Sequence, residues 1–267
     1  MKRFLMNALG ATNGLPQPSL VFLTLTAVAL LGVPTSHLIT SSGAQSFGIL
    51  IHEFAIVAGL PLIVIVWKKL DPSRFLQLGK PPWKLIGWVI VLTIGADIII
   101  DYLTAASELI LPLPETYKLA LEKIMSAPTI PVYIWKLFLI CVVPGVCEEI
   151  LFRGFCQTSL AVHVGKTPAI LITAFFFALL HGNPWYFHLY FFLGLLLSWV
   201  YAVSGTLIVP MMVHILNNAW TFTSHWLGHN VPMRGFFHPM DILFCGLGLF
   251  LCAIAMKKIT SLRVLKL

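Results

Sequence analysis

Long apolar runs, broken by short loops rich in Pro, Gly and Lys, dominate the chain. Windows long enough to cross a bilayer fall at about 19–40, 47–67, 84–104, 131–160, 166–182, 185–203, 206–228 and 239–256. The pattern predicts an all-α, polytopic transmembrane bundle of about eight helices. The fourth window exceeds a simple span, so it should tilt, kink or project. The segment 112–131 is bounded by prolines and interleaves Leu119, Leu121 and Ile124 with charges, which predicts a short amphipathic helix on the membrane surface. The chain divides into 1–129 (three helices and the amphipathic connector), 130–228 (a central helical core) and 229–267 (a last helix with a basic tail).

Composition fits a membrane protein. Of 267 residues, 58% are hydrophobic and 10% charged, against about 45–50% and about 25% in ordinary soluble domains. Eight spans at about 20 residues each take roughly 160 residues, which leaves short loops and tails and excludes a disordered or typical soluble chain. The net charge of +7 reads as topology and not as nucleic-acid binding, because the basic residues sit in the loops. An inside N-terminus places Lys2, Arg3, Lys68, Lys69, Arg74, Lys80, Lys84, Lys166, Lys257, Lys258, Arg263 and Lys266 on one side. Lys118, Lys123, Lys136 and Arg234 fall on the other. The excess predicts that both termini are cytoplasmic, in a multi-pass protein of a bacterial inner (cell) membrane. Cys141, Cys147, Cys156, Cys245 and Cys252 lie in or beside apolar runs without CxxC spacing, as small core residues do. The N-terminal apolar segment lacks a convincing cleavage signal and is expected to be a retained first helix.

The remaining charges carry the chemistry, since an ionisable group in hydrocarbon costs about 2.5–3.5 kcal/mol on insertion scales. The fourth window contains VVPGVCEEILFRG, with Glu148, Glu149 and Arg153; the fifth ends FFFALLHG at His181; the seventh holds MMVHILNNAW, with His214, Asn217 and Asn218. Glu149 and Arg153, Phe177 and His181, and His214 and Asn218 are each i,i+4 pairs on one helix face. Glu148 lies about 100° around the helix from Glu149, so one acid pairs with Arg153 and the other stays unpaired, as a base would. At about 1.5 Å per residue, Glu148, His181, His214 and Asn218 fall about 13–24 Å from the basic-loop side. They are therefore placed to meet in one layer near the far face. Glu53, Asp97 and Asp101 reach the same depth, which predicts a polar cavity opening away from the cytoplasm. Taken singly, each motif also has a structural reading: a buried ion pair, a helix-end histidine, polar contacts between helices.

Together, Glu148-Glu149-Ile150-Leu151-Phe152-Arg153 (EExxxR), Phe177 to His181 (FxxxH) and His214 to Asn218 (HxxxN) resemble the CPBP intramembrane proteases. That family includes the type II CAAX prenyl endopeptidases and bacteriocin-processing or immunity proteins. The resemblance covers about residues 130–220 and makes 130–228 the catalytic core. It implies hydrolysis of a peptide bond in a membrane-associated or C-terminally anchored substrate. It implies Glu148 as general base with His181 assisting, His214 and Asn218 as holders of the oxyanion, and Glu149, Arg153 and Phe177 in support. Two histidines and a glutamate also suit zinc, but HExxH is absent: His52-Glu53 begins it and Ile56 stands where the second histidine belongs. No cofactor is therefore expected, with zinc the less favoured alternative. The expected partners are membrane lipid and a membrane-anchored peptide or protein, with no nucleic acid. The alternative functions are a proton-coupled transporter built on Glu148, Glu149 and Asp97, against which stands the lack of an inverted repeat, and a non-catalytic immunity or scaffold protein.

Overall fold

A computed structural model of the chain describes residues 11–12, 14–41, 45–228 and 238–262. Lys2, Arg3, Arg234, Arg263 and Lys266, which enter the charge argument, lie outside the described residues, as does the segment 1–10. A two-residue antiparallel bridge, β1 (Ala11–Thr12) with β2 (Leu15–Pro16), precedes the helices. The described helices are α1 (Pro18–Ser41), α2 (Gln45–Trp67), α3 (Trp83–Ile110), α4 (Glu115–Met125), α5 (Ile130–Val164), α6 (Lys166–Leu180), α7 (Phe187–Ser204), α8 (Ile208–Trp226) and α9 (Pro239–Ser261).

Each of the eight apolar windows forms a helix, and the protein is an all-α membrane bundle. Five helices, α2, α3, α5, α7 and α9, are long and apolar enough to span by length and composition. The other three fall short for physical reasons. In α1 the apolar stretch is Pro18–Gly32 and α6 has 15 residues, about 22 Å of helix. In α8 the polar residues His214, Asn217, Asn218 and His225 dilute 19 residues of helix.

The 35-residue α5 is interrupted by two π-helical stretches, Phe138–Val142 and Ile150–Gln157. Pro144, two residues after the first stretch, has no N–H to donate to the carbonyl of Ile140 four residues back. Asn218 Nδ2 of α8 lies 3.5 Å from that oxygen. One residue, Gly165 at φ +89°, links α5 to α6, a left-handed conformation that side chains disfavour.

Small residues bring helices close where no hydrophobic effect drives association. A Cβ on Gly95 of α3 would meet Gly248 O of α9 at 2.9 Å, and one on Gly248 would meet Gly95 O at 2.8 Å. Gly95→Leu is therefore expected to part α3 from α9 at a cost of about 1–3 kcal/mol, seen as a lowered Tm in detergent. Gly87→Leu, where nothing lies within 4 Å of the added Cβ, should leave Tm unchanged. Equal behaviour of the two variants would refute the close approach.

At the end of the bundle that carries the basic loops, the 72–80 segment docks onto the turn before α8. Leu207 N donates to Gln77 O at 2.7 Å, and Thr206 Oγ1 lies 3.0 Å from Gln77 O and 2.7 Å from Gly79 O. The chamber described next lies toward the other end, bordered by α4 and the 181–186 turn.

Candidate active site

The EExxxR segment falls where α5 passes from α to π geometry, and consecutive acids diverge as their 100° spacing requires. Glu149 turns into the protein and is fully buried with Arg153. Arg153 Nη1 donates to Glu149 Oε1 at 2.8 Å and Nη2 to Gly194 O of α7 at 3.0 Å. The guanidinium also lies 4.7 Å from the Phe177 ring centroid, a cation–π contact. One turn on, Gln157 Nε2 donates to Ser198 O at 2.9 Å, so α5 and α7 are stitched by side chains on one face of each. His214 Nδ1 reaches the same Glu149 oxygen at 2.9 Å. A carboxylate oxygen between guanidinium and imidazole forms the buried post of the site.

Glu148 turns the other way, into a cavity of about 720 Å³ shared with His52, His181, Asn183, Tyr186 and Tyr190. Its Oε2 has no hydrogen-bond partner and lies 4.0 Å from His181 Nε2. His181 caps α6, and its Nδ1 is 2.7 Å from Phe177 O, the carbonyl one turn back. A carbonyl only accepts, so Nδ1 carries the proton and Nε2 presents a lone pair to the cavity. Tyr190 stacks on the imidazole at 4.0 Å between centroids and Phe177 flanks it at 4.6 Å. The FxxxH spacing thus supplies both the carbonyl that fixes the tautomer and the ring that fixes the plane.

Of the residues singled out in the sequence, Glu148 and His181 meet across the cavity, and Glu149, Arg153, Phe177 and His214 form the layer behind them. Asn218 stands apart, beside the Ile140 carbonyl that Pro144 leaves without a backbone donor. Neither His214 nor Asn218 lines the cavity. The Asp97 and Asp101 side chains join α3 to α8, through Asn217 Nδ2 at 2.5 Å and Trp220 Nε1 at 2.9 Å. Asp97 borders a separate cavity of about 420 Å³, so it is not in line with Glu148 and Glu149 as a proton relay requires. Glu53 is buried beside Glu148, with Oε2 unpartnered.

The amphipathic segment forms α4, but its Tyr117, Leu121 and Ile124 face the cavity. The helix lines one side of the chamber while Leu119 stays exposed. Its start is tied down by Glu108, which accepts from Tyr186 Oη and pairs with Lys118 at 3.5 Å. Beyond its end, Trp226 Nε1 donates to Ala127 O at 2.9 Å.

His52, Asn183, Tyr186 and Tyr190 are chamber residues that the motif spacing does not reveal. For His52 the signal was the truncated HExxH start. Among the described residues, no three His, Cys, Asp or Glu side chains converge to hold a metal ion.

Residues 130–220 match the family model described as type II CAAX prenyl endopeptidase Rce1-like. This stretch, about a third of the chain, is similar to the core of the CPBP family. The matched stretch contains all three motifs and the Glu149–Arg153–His214 post. The chain is also 26% identical over 179 residues to the membrane-embedded CAAX protease MroQ of Staphylococcus aureus, an alignment that covers 62% of this chain and 68% of that protein. No solved structure matches. The likeness supports a CAAX-type intramembrane protease in general class, and the apolar helices make it an integral membrane protein. The matched stretch, the CPBP-like core, supplies Glu148, His181 and the post; α1, α2 and α4, outside it, also line the chamber.

Proposed function

We propose that the protein hydrolyses a peptide bond of a membrane-associated or C-terminally anchored substrate, with a water activated by Glu148 and His181 as nucleophile. The observation that carries this reading is the 4.0 Å gap between Glu148 Oε2 and His181 Nε2. Both atoms are acceptors, too far apart for direct bonding and spaced for one donor between them. A water there gives one O–H to each and turns its lone pair to the chamber. Its oxygen attacks the scissile carbonyl carbon, Glu148 takes the proton, and the carbonyl electrons move to oxygen. When the C–N bond breaks, its electron pair stays on nitrogen, which receives that proton from Glu148.

The family resemblance assigns the oxyanion side to His214 and Asn218, which stand behind the chamber wall and not on it. Each keeps a polar group beyond the bonds described: His214 its Nε2, Asn218 a second amide N–H. Glu149, Arg153 and Phe177 position the pair. Membrane lipid and the anchored substrate are the partners, and nucleic acid is not one.

The chamber lies toward the end of the bundle away from the basic loops. This supports access from outside the cytoplasm, with both termini cytoplasmic in a bacterial inner membrane.

As written, the reaction draws on side chains alone. The purified protein in lipid nanodiscs, dialysed against chelator until elemental analysis finds no metal, is expected to cleave an anchored apolar peptide at an undiminished rate. Loss of cleavage restored by zinc would overturn this scheme.

A further inference from the structure

We infer that His52, on a helix outside the CPBP-like core, grips the substrate by accepting a hydrogen bond from a backbone N–H of an extended apolar peptide lying against Glu148. The inference rests on the proteolytic reading above and says how its substrate is held.

His52 sits in the π-helical stretch Ile51–Val57 of α2, lines the same cavity as Glu148 and His181, and lies within electrostatic range of Glu148. Such widened turns recur at functional sites. Its tautomer follows from its neighbours. Thr35 Oγ1 is 2.9 Å from Gly32 O and 2.9 Å from His52 Nδ1. A hydroxyl has one hydrogen and a carbonyl none. Both contacts are hydrogen bonds only when Thr35 donates to Gly32 O and His52 Nδ1–H donates to Thr35. His52 Nε2 is then an acceptor, with no hydrogen-bond partner among the described residues. The ring is also held in place: a Cβ on Gly32 would come within 3.1 Å of His52 Cε1, so glycine is what lets the imidazole lie flat on α1.

The chamber gives such an acceptor a purpose. Its walls include Val28, Leu121, Ile124, Leu151 and Phe152, which suit apolar side chains but leave peptide N–H groups without water. A buried, unpaired N–H costs about as much as a lost hydrogen bond. His52 Nε2 satisfies one such group and fixes the register of the strand against the water between Glu148 and His181.

The test is a binding cycle on the full chain in nanodiscs, in a Glu148→Gln background that keeps the peptide intact. The probe is a fluorescein-labelled Leu/Ala peptide of about ten residues and its singly N-methylated derivatives, each lacking one N–H, with affinity read by anisotropy. At one position, N-methylation is expected to weaken binding about tenfold, and to change it less than twofold once His52→Ala is added. Thr35→Val, which frees the ring to turn, should give an intermediate penalty and guards against a His52→Ala protein that is merely misfolded. The inference is overturned if every N-methyl derivative affects the His52 and His52→Ala proteins alike, or if no peptide binds. The protein with Glu148 intact is assayed in parallel: a peptide that binds with the expected cycle but is never cut defeats the proteolytic reading and leaves the His52 contact standing.

Discussion

Glu148→Gln is expected to lower kcat for peptide cleavage by about 10³-fold or more while the protein stays folded, inserted and monodisperse. Removing a positioned general base costs about 10²–10⁴-fold. The amide keeps the shape of the side chain but cannot take a proton from water. Stability should hold, because Glu148 forms no ion pair with Arg153, which is committed to Glu149 and Gly194 O, and Glu148 Oε2 is unpartnered. His181→Ala should fall less far, by about 10²-fold, since the carboxylate remains. Cleavage at the parental rate by Glu148→Gln, measured on protein shown to be folded by its Tm, would refute the assignment of the base.

The opposite signature is expected for the ion pair of the next residue, Glu149, with Arg153. Arg153→Met should destabilise the protein by about 3–5 kcal/mol, because it leaves a buried carboxylate without its cation and Gly194 O without its donor. Arg153 is fully buried, packed against Phe177 and Phe152, so water cannot replace it. Arg153→Lys is expected to recover only part of this, since one ammonium does not reproduce the fork that spans Glu149 on its own helix and Gly194 on the next. The double variant Arg153→Met, Glu149→Leu should be more stable than Arg153→Met alone, because the stranded charge goes with its partner. The check is thermal unfolding in detergent together with recovery of monodisperse protein. A Tm for Arg153→Met equal to that of the parent would contradict a stability role for the post. Glu148 and Glu149, adjacent in sequence, are thus separated by experiment: one variant loses rate without stability, while breaking its neighbour's ion pair loses stability first.

Local periodicity carried much of the site. The i,i+4 relation brought Glu149 to Arg153 and Phe177 to His181, and the 100° step turned Glu148 away from the pair. These are properties of a single helix, so they survive whatever the bundle does. Contacts between helices were another matter. HxxxN placed His214 and Asn218 on one face of α8, but one turn apart they meet different partners on α5, Glu149 for His214 and Ile140 O for Asn218. The amphipathic α4 was visible, yet which environment takes its apolar face depends on a cavity formed by α1, α2, α5 and α6 together. His52 lay out of reach for the same reason: its meaning comes from Thr35 and Gly32 on another helix and from a π-helical stretch that no residue pattern announced. Window ends also shifted. The third apolar window ends near 104 and α3 continues to Ile110, where Glu108 finds partners in Tyr186 and Lys118.

The central claim is that a water held between Glu148 and His181 attacks the peptide carbonyl directly. It is tested by a single turnover in ¹⁸O-labelled water, with excess purified protein over an anchored peptide and mass spectrometry of the fragments. The account predicts one ¹⁸O in the new C-terminal carboxylate of the first-turnover product and no labelled or acylated Glu148. An unlabelled carboxylate, with the isotope or an acyl group found on Glu148 instead, would mean that the glutamate itself is the nucleophile and would contradict it.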